Sequence, residues 1–300
     1  MLTPFQEAFV LSAFPRGATI ISSHHMQEMI PCPIRVRVIL PEGTESEIVL
    51  RIARNGGGVE REALLFPVLA QLGLPVPSVL AGPVSDPDDT QVFTMTLNSL
   101  LPGRTLQDWS QRDSIGLELA LEQTVEAVLR LHRLTDRLIQ GGAPLPRKTL
   151  SSELLRLVQS GSLWAQDPVF AAAVSLLSPI VEAIDTPLVF SNGDYQPANF
   201  LSDGNRLTGF VDFEKACFED PLLTWARYPA YNLDPLNRAG VVARFLSLGG
   251  FSQSDFAPRL ALFCLRTLLT KTPVSEGTQA QHERREHVLS VLSDALSLLK

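Results

Sequence analysis

Three polar residues late in the chain have the types and the order that phosphoryl transfer requires. Asp194 follows a short apolar stretch, four residues separate it from Asn199, and Asp212 comes after a second apolar stretch. Carboxylate and amide oxygens are hard ligands that suit Mg²⁺. A further carboxylate can accept or orient the proton of an attacking hydroxyl. The three residues together therefore fit metal-assisted transfer of a phosphoryl group to an alcohol.

A predicted hairpin explains how two of these residues would meet. Asp203-Gly204-Asn205 is a strong turn signal, and the apolar residues on both sides of it predict two short strands. The open ends of such a hairpin carry Asn199 and Asp212, so we expect them to share a metal ion. Asp194 lies one loop away, after the predicted strand Leu188–Phe190. An Asp-x₄-Asn spacing alone is common by chance, and the specific signal is the whole strand–loop–hairpin order.

The first hundred residues predict mainly strands. Ile34–Leu40 alternates apolar and basic residues, which is the pattern of a half-buried strand, and Glu47–Ala53 predicts its hairpin partner. Val59–Leu72 has helical spacing and ends at a glycine. Two more strands are predicted at Ser78–Ala81 and Gln91–Leu97. A polar loop with adjacent histidines, His24-His25, is expected before the first strand, and solvation is the more ordinary interpretation of it than metal binding.

After residue 100 the pattern becomes helical. The predicted helices are Ser114–Ile139, Glu153–Gln159, Val169–Ile184, Arg238–Leu248, Phe256–Leu269 and His282–Leu299. We therefore expect an α+β protein with a β-rich N-terminal domain, residues 1–100, and a mainly helical C-terminal domain, residues 101–300. The short strands around Asp194 and Asp212 form a β insertion in the second domain.

Composition excludes several classes of partner. The net charge is −7, from 32 acidic and 25 basic residues. The sequence has no dense run of Lys and Arg that could bind the phosphate backbone of a nucleic acid. The three cysteines are far apart, which gives neither a disulfide framework nor a zinc site. Phe256–Leu269 is too short and too charged to span a bilayer, and the N-terminus does not have a signal-peptide pattern. We expect a cytoplasmic monomer or homodimer that binds neither nucleic acid nor membrane.

The block from Leu188 to Pro221 resembles the catalytic and metal-binding loops of the aminoglycoside phosphotransferase-like family, whose small-molecule kinases share the two-lobed protein-kinase fold. The resemblance implies that Asp194 is the catalytic base and that Asn199 and Asp212 hold Mg²⁺. Glu214 stands where protein kinases have the Gly of Asp-Phe-Gly, which favours a small-molecule kinase. Asp220 corresponds to the family's bracing Asp.

The same resemblance extends weakly over residues 20–250. It implies that Arg51 binds nucleotide phosphates and that Glu62 pairs with it, and it places the adenine site near Met95 to Asn98. ATP or GTP would be the phosphate donor, with Mg²⁺, and a hydroxyl of a small molecule the acceptor. The structural alternative is an exposed Arg51 and a Glu62 placed for the helix dipole. His132 matches a habitual family position and is expected to support packing or a loop.

Two departures from the family pattern leave an alternative open. Asn192 replaces the usual His before Gly-Asp, although an amide can still donate and accept hydrogen bonds. Arg51 stands where the family normally has Lys. A catalytically silent kinase-like protein that binds nucleotide or a partner is therefore the alternative to an active kinase. A hydrolase is less favoured, since no Gly-x-Ser-x-Gly motif occurs. Tyr228, Tyr231 and Asp234 are candidates for an acceptor pocket or for the core.

Overall fold

The computed structural model describes residues 2–26, 32–54, 58–85, 93–160, 167–271 and 278–299. The chain forms two compact units. The first comprises Met1–Thr105 and Ala198–Lys215, and the second comprises Leu106–Pro197 and Ala216–Lys300. The mixed fold, with a sheet in the N-terminal region and helices in the C-terminal region, is as predicted. Each unit is built from two segments, whereas the sequence suggested contiguous domains.

The first unit is organised by a five-stranded antiparallel sheet in the order β1-β2-β3-β5-β4. Its strands are β1 (Thr19–His25), β2 (Ile34–Ile39), β3 (Glu45–Arg54), β4 (Val79–Ser85) and β5 (Phe93–Ser99). The alternation predicted for β2 is present. Ile34, Val36 and Val38 are buried, while Arg35 and Arg37 face outward and pair with glutamates of β3. A continuous apolar cluster therefore forms on one face of the sheet.

Two helices and a small second sheet complete the first unit. The helices are α1 (Pro4–Ser12) and α2 (Val59–Gln71), and the second sheet contains β6 (Arg104–Thr105), β9 (Phe200–Ser202) and β10 (Leu207–Phe210). Helix α2 buries Val59, Glu62, Phe66 and Leu69, which share one helical face. Because Glu62 lies among apolar residues on this face, its carboxylate needs a partner inside the unit.

The second unit is mainly helical. Its helices are α3 (Leu106–Ser110), α4 (Ser114–His132), α5 (Thr135–Gln140), α6 (Leu150–Val158), α7 (Pro168–Ala183), α8 (Arg227–Tyr231), α9 (Val241–Gly249), α10 (Gln253–Lys271) and α11 (Gln279–Ser297). Three short strands form a sheet in the order β7-β11-β8, and they are β7 (Arg147–Lys148), β8 (Val189–Ser191) and β11 (Cys217–Glu219). None of the helices in the described ranges is long and apolar enough to cross a bilayer.

Three local predictions were wrong. His24 and His25 lie in strand β1 and not in a loop, and His25 contacts Cys32 through Nδ1 and Sγ at 3.2 Å. The predicted long helix from Ser114 is two helices, α4 and α5, which are separated at Arg133 and Leu134. Helix α1 was missed because its nine residues are too few for a clear apolar period, although Thr3 caps it with a complete capping box.

Candidate active site

The hairpin predicted from the sequence is present in the first unit. Strand β9 pairs antiparallel with β10, with Phe200 opposite Phe210, and the Val211 amide donates to the Asn199 carbonyl at 3.0 Å. Asn199 and Asp212 therefore lie next to each other at the open end of this hairpin. Asp212 has a φ of 63°, in the left-handed region that a short polar side chain such as Asp tolerates best after Gly.

Arg51 of β3 forms ion pairs with three acidic side chains around this hairpin. Its Nη2 lies 3.0 Å from Asp212 Oδ1 and 3.2 Å from Glu214 Oε2, and its Nε lies 3.2 Å from Glu62 Oε2. The ion pair between Arg51 and Glu62 was expected, whereas the contacts with Asp212 and Glu214 were not. One guanidinium therefore joins three carboxylates that come from α2 and from the segment after β10.

The electrostatics of this cluster follow from burial. Burial acts to lower the pKa of Arg51, but the attraction of Glu62, Asp212 and Glu214 outweighs it, so the pKa is raised and the guanidinium stays charged. Burial also raises the pKa of Glu62, which is 2% exposed, and the attraction of Arg51 only partly offsets this. The Phe213 amide donates to the other Glu62 oxygen at 2.7 Å. Glu62 therefore links helix α2 to the backbone next to Asp212.

The backbone around Glu214 is packed too closely for a side chain at Gly58, where α2 begins. A Cβ at Gly58 would lie 2.5 Å from the Glu214 carbonyl oxygen, and the φ of this residue is 88°. Arg61 donates to the same carbonyl at 2.8 Å. These contacts fix the chain just after Asp212 against the N-terminus of α2.

The donor set at the hairpin fits Mg²⁺. Asp212 supplies a carboxylate that is partly exposed, and Asn199 supplies an amide oxygen from the neighbouring strand end. Mg²⁺ is usually bound by one or two protein oxygens and completes its octahedron with water and phosphate. Within the described ranges, no group of three or more His, Cys, Asp or Glu side chains is arranged to hold a metal. Asn199 and Asp212 therefore offer one amide oxygen and one carboxylate, a donor set that Mg²⁺ accepts when water and phosphate complete its coordination.

The residues expected near the nucleobase lie in β5. Met95 pairs with Ile52 on one side and Val84 on the other, and Asn98 pairs with Val49 and Val79. Backbone groups in the middle of a strand with neighbours on both sides are used by the sheet. The side chain of Asn98 offers a different group, because its buried Oδ1 accepts no hydrogen bond from any described residue. Residue Asn98 is 5% exposed.

Asp194 lies in the second unit, in the loop after β8. Asn192 braces this loop: its Oδ1 accepts from the Asp194 amide at 3.2 Å and its Nδ2 donates to the Asp194 carbonyl at 3.1 Å. The bracing capacity expected of this amide is therefore realised. The two carboxylate oxygens of Asp194 have different neighbours, since Oδ1 lies 3.2 Å from Arg227 Nε and Oδ2 accepts from Gln196 at 3.4 Å.

Three aromatic side chains stabilise the loop that carries Asp194. Tyr195 is fully buried, its hydroxyl lies 3.1 Å from His132 Nε2, and its carbonyl accepts from the Tyr228 hydroxyl at 2.8 Å. Burial lowers the pKa of His132 to about 4 and raises the pKa values of both tyrosines. His132 is thus the loop-supporting residue that was expected. Tyr228 is fully buried and belongs to the core, which is one of the two interpretations that the sequence left open.

Asp220 is buried and paired within the second unit. Its Oδ2 lies 2.8 Å from Arg259 Nη2, and its Oδ1 accepts from the Leu222 amide at 2.9 Å. Arg259 also donates to Thr186, in the segment before β8. This pair ties helix α10 to the two segments that flank the sheet of β7, β11 and β8.

Arg227 is the residue at Asp194 that sequence reasoning missed. It is separated from Asp194 by more than thirty residues, so no local spacing connects them. The available signal was a single charged residue inside the apolar run from Leu222 to Ala230, where an isolated charge requires a partner.

Comparisons with known proteins find a matching family and similar folds. The model of the phosphotransferase enzyme family matches residues 35–247. An apo structure of a thermostable aminoglycoside phosphotransferase APH(4)-Ia is 16% identical, with a TM-score of 0.66 and 98% of each chain covered. A ternary complex of a variant of that enzyme with AMP-PNP and hygromycin B is 14% identical, with a TM-score of 0.70 and 99% coverage of each chain. The GDP and kanamycin complex of APH(2")-IIia is 16% identical, with a TM-score of 0.65 and coverage of 98% of this chain and 99% of the other. No curated protein matches.

Proposed function

The chain belongs to the phosphotransferase enzyme family, and from this premise we propose that it transfers the γ-phosphoryl group of ATP or GTP to a hydroxyl of a small molecule. The observation that carries the proposal is the hairpin that presents Asn199 and Asp212 side by side, with Arg51 bound to Asp212. Asn199 and Asp212 would hold Mg²⁺, which neutralises phosphate charge when it is bound.

The proposed roles balance the reaction. Asp194 orients the acceptor hydroxyl and takes its proton, the hydroxyl oxygen forms the new bond to the γ-phosphorus, and the bond from that phosphorus to the β–γ bridging oxygen breaks. The nucleoside diphosphate is the leaving group. The double hydrogen bond from Asn192 to the Asp194 backbone supports this role, because a positioned carboxylate costs less reorganisation during the reaction.

Arg51 is proposed to bind nucleotide phosphate oxygens through its planar fork, and Glu62 to hold that fork in place. For the base, the buried Oδ1 of Asn98 is an acceptor that suits the exocyclic amino group of adenine, whereas the corresponding edge of guanine carries a carbonyl oxygen. Because the same amide can also donate through Nδ2, Asn98 is compatible with either base, and the proposed donor is ATP or GTP. The neighbouring structures carry AMP-PNP in one case and GDP in another.

Two substitutions separate nucleotide binding from transfer. Asp194→Ala should abolish transfer while leaving Mg²⁺-dependent binding of AMP-PNP in place, since this residue acts on the acceptor. Asp212→Ala should weaken the Mg²⁺ dependence of AMP-PNP binding itself. Calorimetry with and without Mg²⁺ measures both. Normal turnover in Asp194→Ala, or an unchanged Mg²⁺ titration in Asp212→Ala, would contradict the proposed roles.

The same measurements address the alternative of a catalytically silent nucleotide-binding protein. That alternative predicts AMP-PNP binding without transfer to any acceptor in the wild type, so that Asp194→Ala would change nothing. The buried ion pair of Asp194 and the ion pair of Arg51 with Asp212 are compatible both with an active kinase and with a silent nucleotide-binding protein. Phosphoryl transfer that the wild type performs and Asp194→Ala does not would support the kinase.

A further inference from the structure

The guanidinium of Arg227 lies directly against the carboxylate that is proposed to receive the acceptor hydroxyl. Its Nε is 3.2 Å from Asp194 Oδ1, and the side chain of Asp194 is only 3% exposed. Both side chains come from the second unit, Arg227 from the first residue of α8 and Asp194 from the loop after β8. Any acceptor whose hydroxyl reaches Asp194 therefore meets a fixed positive charge.

The orientation of Arg227 is set by its neighbours. Its Cζ lies 5.0 Å from the centre of the Tyr231 ring, one turn further along α8, and Tyr231 is itself contacted by Thr267 of α10. Nε lies beside Asp194 Oδ1 in an ion pair whose two atoms do not form an aligned hydrogen bond, and one face of the guanidinium lies on the Tyr231 ring. The terminal nitrogens Nη1 and Nη2 lie on the side of the planar group away from the chain. Apart from the contacts with Asp194 and Tyr231, no described residue forms a hydrogen bond, ion pair or ring contact with this side chain.

The side chain of Arg227 is 18% exposed and that of Asp194 is 3% exposed, so a ligand can reach Arg227 more readily. A guanidinium with two terminal N–H groups in one plane matches the two oxygens of a carboxylate or phosphate, and such charge-assisted pairs are among the strongest hydrogen bonds in proteins. A cationic group at the same place would be repelled, because the charges would lie within a few ångströms of each other in a poorly hydrated environment.

From these contacts we propose that the acceptor is an anionic alcohol, with a carboxylate or phosphate close to the hydroxyl that is phosphorylated, and that Arg227 binds this anion and determines the specificity. The proposal rests on the proposed function, since it takes Asp194 as the residue that meets the hydroxyl. An anionic acceptor would differ from the ligands of two structural neighbours, which are complexes with hygromycin B and kanamycin. Those acceptors carry ammonium groups, which Arg227 would oppose.

The binding of an anion would also change the environment of Asp194. In the absence of substrate, Arg227 pairs with the carboxylate that must accept a proton. An anion on the terminal nitrogens shares the positive charge of Arg227 and so weakens its hold on Asp194. An anionic acceptor would thereby leave the Asp194 carboxylate freer to take the proton of the hydroxyl. Water has no anionic group and would not have this effect. A low rate of nucleotide hydrolysis without acceptor is the expected consequence.

Three probes with the same carbon skeleton test the charge preference. They are glycerate, which is anionic, glycerol, which is neutral, and 3-amino-1,2-propanediol, which is cationic. Binding is measured by calorimetry on wild-type protein in the presence of AMP-PNP and Mg²⁺, and on Arg227→Gln, Arg227→Lys and the matched control Arg238→Gln. Arg238 is exposed and pairs with Asp234 in the same region of the chain, so its loss removes one positive charge without touching Asp194.

The expected result is that glycerate binds the wild type and Arg238→Gln equally, and that Arg227→Gln binds it about ten- to a hundredfold more weakly. Arg227→Lys, which keeps the charge but loses the fork, should fall between them. Glycerol and the amine should bind the wild type at least about tenfold more weakly than glycerate does. Thermal melting of each variant verifies folding, and the Lys variant preserves the test if the Gln variant does not fold.

Three outcomes would overturn the proposal: unchanged glycerate binding in Arg227→Gln, an amine that binds as tightly as glycerate, or no glycerate binding by the wild type. Its failure is distinguishable from failure of the proposed function. Loss of AMP-PNP binding by the wild type would contradict the kinase and would leave an anion site at Arg227 standing. Normal AMP-PNP binding with no preference for glycerate would contradict the anion site at Arg227 and would leave the proposed kinase standing.

Discussion

Replacement of Arg51 by Met is the perturbation whose effect can be worked out most fully. The guanidinium lies 3.0 to 3.2 Å from Asp212, Glu214 and Glu62, and no other described residue supplies a cation to all three. Met retains the apolar stem and removes the charge. The variant therefore leaves three carboxylates close together, one of them almost completely buried.

The magnitude follows from the burial of these partners. Removal of one member of a buried ion pair costs about 3–5 kcal/mol, because the remaining charge stays desolvated. Asp212 and Glu214 are each about a quarter exposed, which places Arg51→Met near the lower end, at about 3 kcal/mol. Arg37 provides a matched control in the same sheet, since it also contacts two glutamates but is 42% exposed. Its replacement by Met should cost less than about 1 kcal/mol.

Urea denaturation at neutral pH measures both variants. A second readout uses Mg²⁺ without nucleotide, which should restore more stability to Arg51→Met than to Arg37→Met, because a divalent cation can replace part of the missing charge at Asp212. The difference between the variants should also shrink in mild acid, because burial raises the pKa of Glu62 and its carboxylate becomes protonated there. Equal costs for Arg51→Met and Arg37→Met would refute the view that Arg51 holds this cluster together.

Three further substitutions, one of them with Arg238→Met as its control, test the second unit. Asn192→Ala removes both hydrogen bonds to the Asp194 backbone and should cost about 1–3 kcal/mol of unfolding free energy, lowering kcat more than nucleotide affinity; equal effects on both would point to general destabilisation. Arg259→Met leaves Asp220 buried without its partner and should cost about 3–5 kcal/mol, whereas Arg238→Met, at an exposed pair, should cost less than about 1 kcal/mol in the same denaturation experiment. Burial lowers the pKa of His132 from 6.5 to about 4, so the neutral ring contributes stability above pH 6.5 that is lost as the pH falls towards 4. The full loss is up to about 3 kcal/mol, and a pH series on His132→Gln should lack that part of it.

The parts of the molecule that the sequence could predict are those with local signals. The alternation in β2, the spacing in α2 and the turn at Gly204 each depend on neighbouring residues, and each element lies within a few residues of its predicted bounds. The hairpin that carries Asn199 and Asp212 belongs to this class. The pair of Arg51 and Glu62 is different, because only the resemblance to a known family implied it and no local pattern did.

What the sequence could not show depends on contacts between distant segments. Nothing near Glu214 indicates that Arg51 binds it, and nothing near Asp194 indicates Arg227, because the partner comes from another part of the chain in each case. His24 and His25 looked like a polar loop, but pairing with β2 holds them in a strand despite their low apolar content. Tertiary pairing outweighed local composition there.

The central claim is that this chain transfers phosphate from a nucleoside triphosphate to an alcohol, with Asp194 as the residue that meets the hydroxyl. The most direct test incubates purified protein with Mg²⁺, ATP or GTP, and a panel of hydroxylated metabolites and antibiotics that includes anionic alcohols. Mass spectrometry then detects acceptors that have gained one phosphate. We expect a phosphorylated acceptor with the wild type and none with Asp194→Ala. Transfer that persists in Asp194→Ala, or no transfer to any acceptor by a wild-type protein that binds Mg²⁺ and nucleotide, would contradict it.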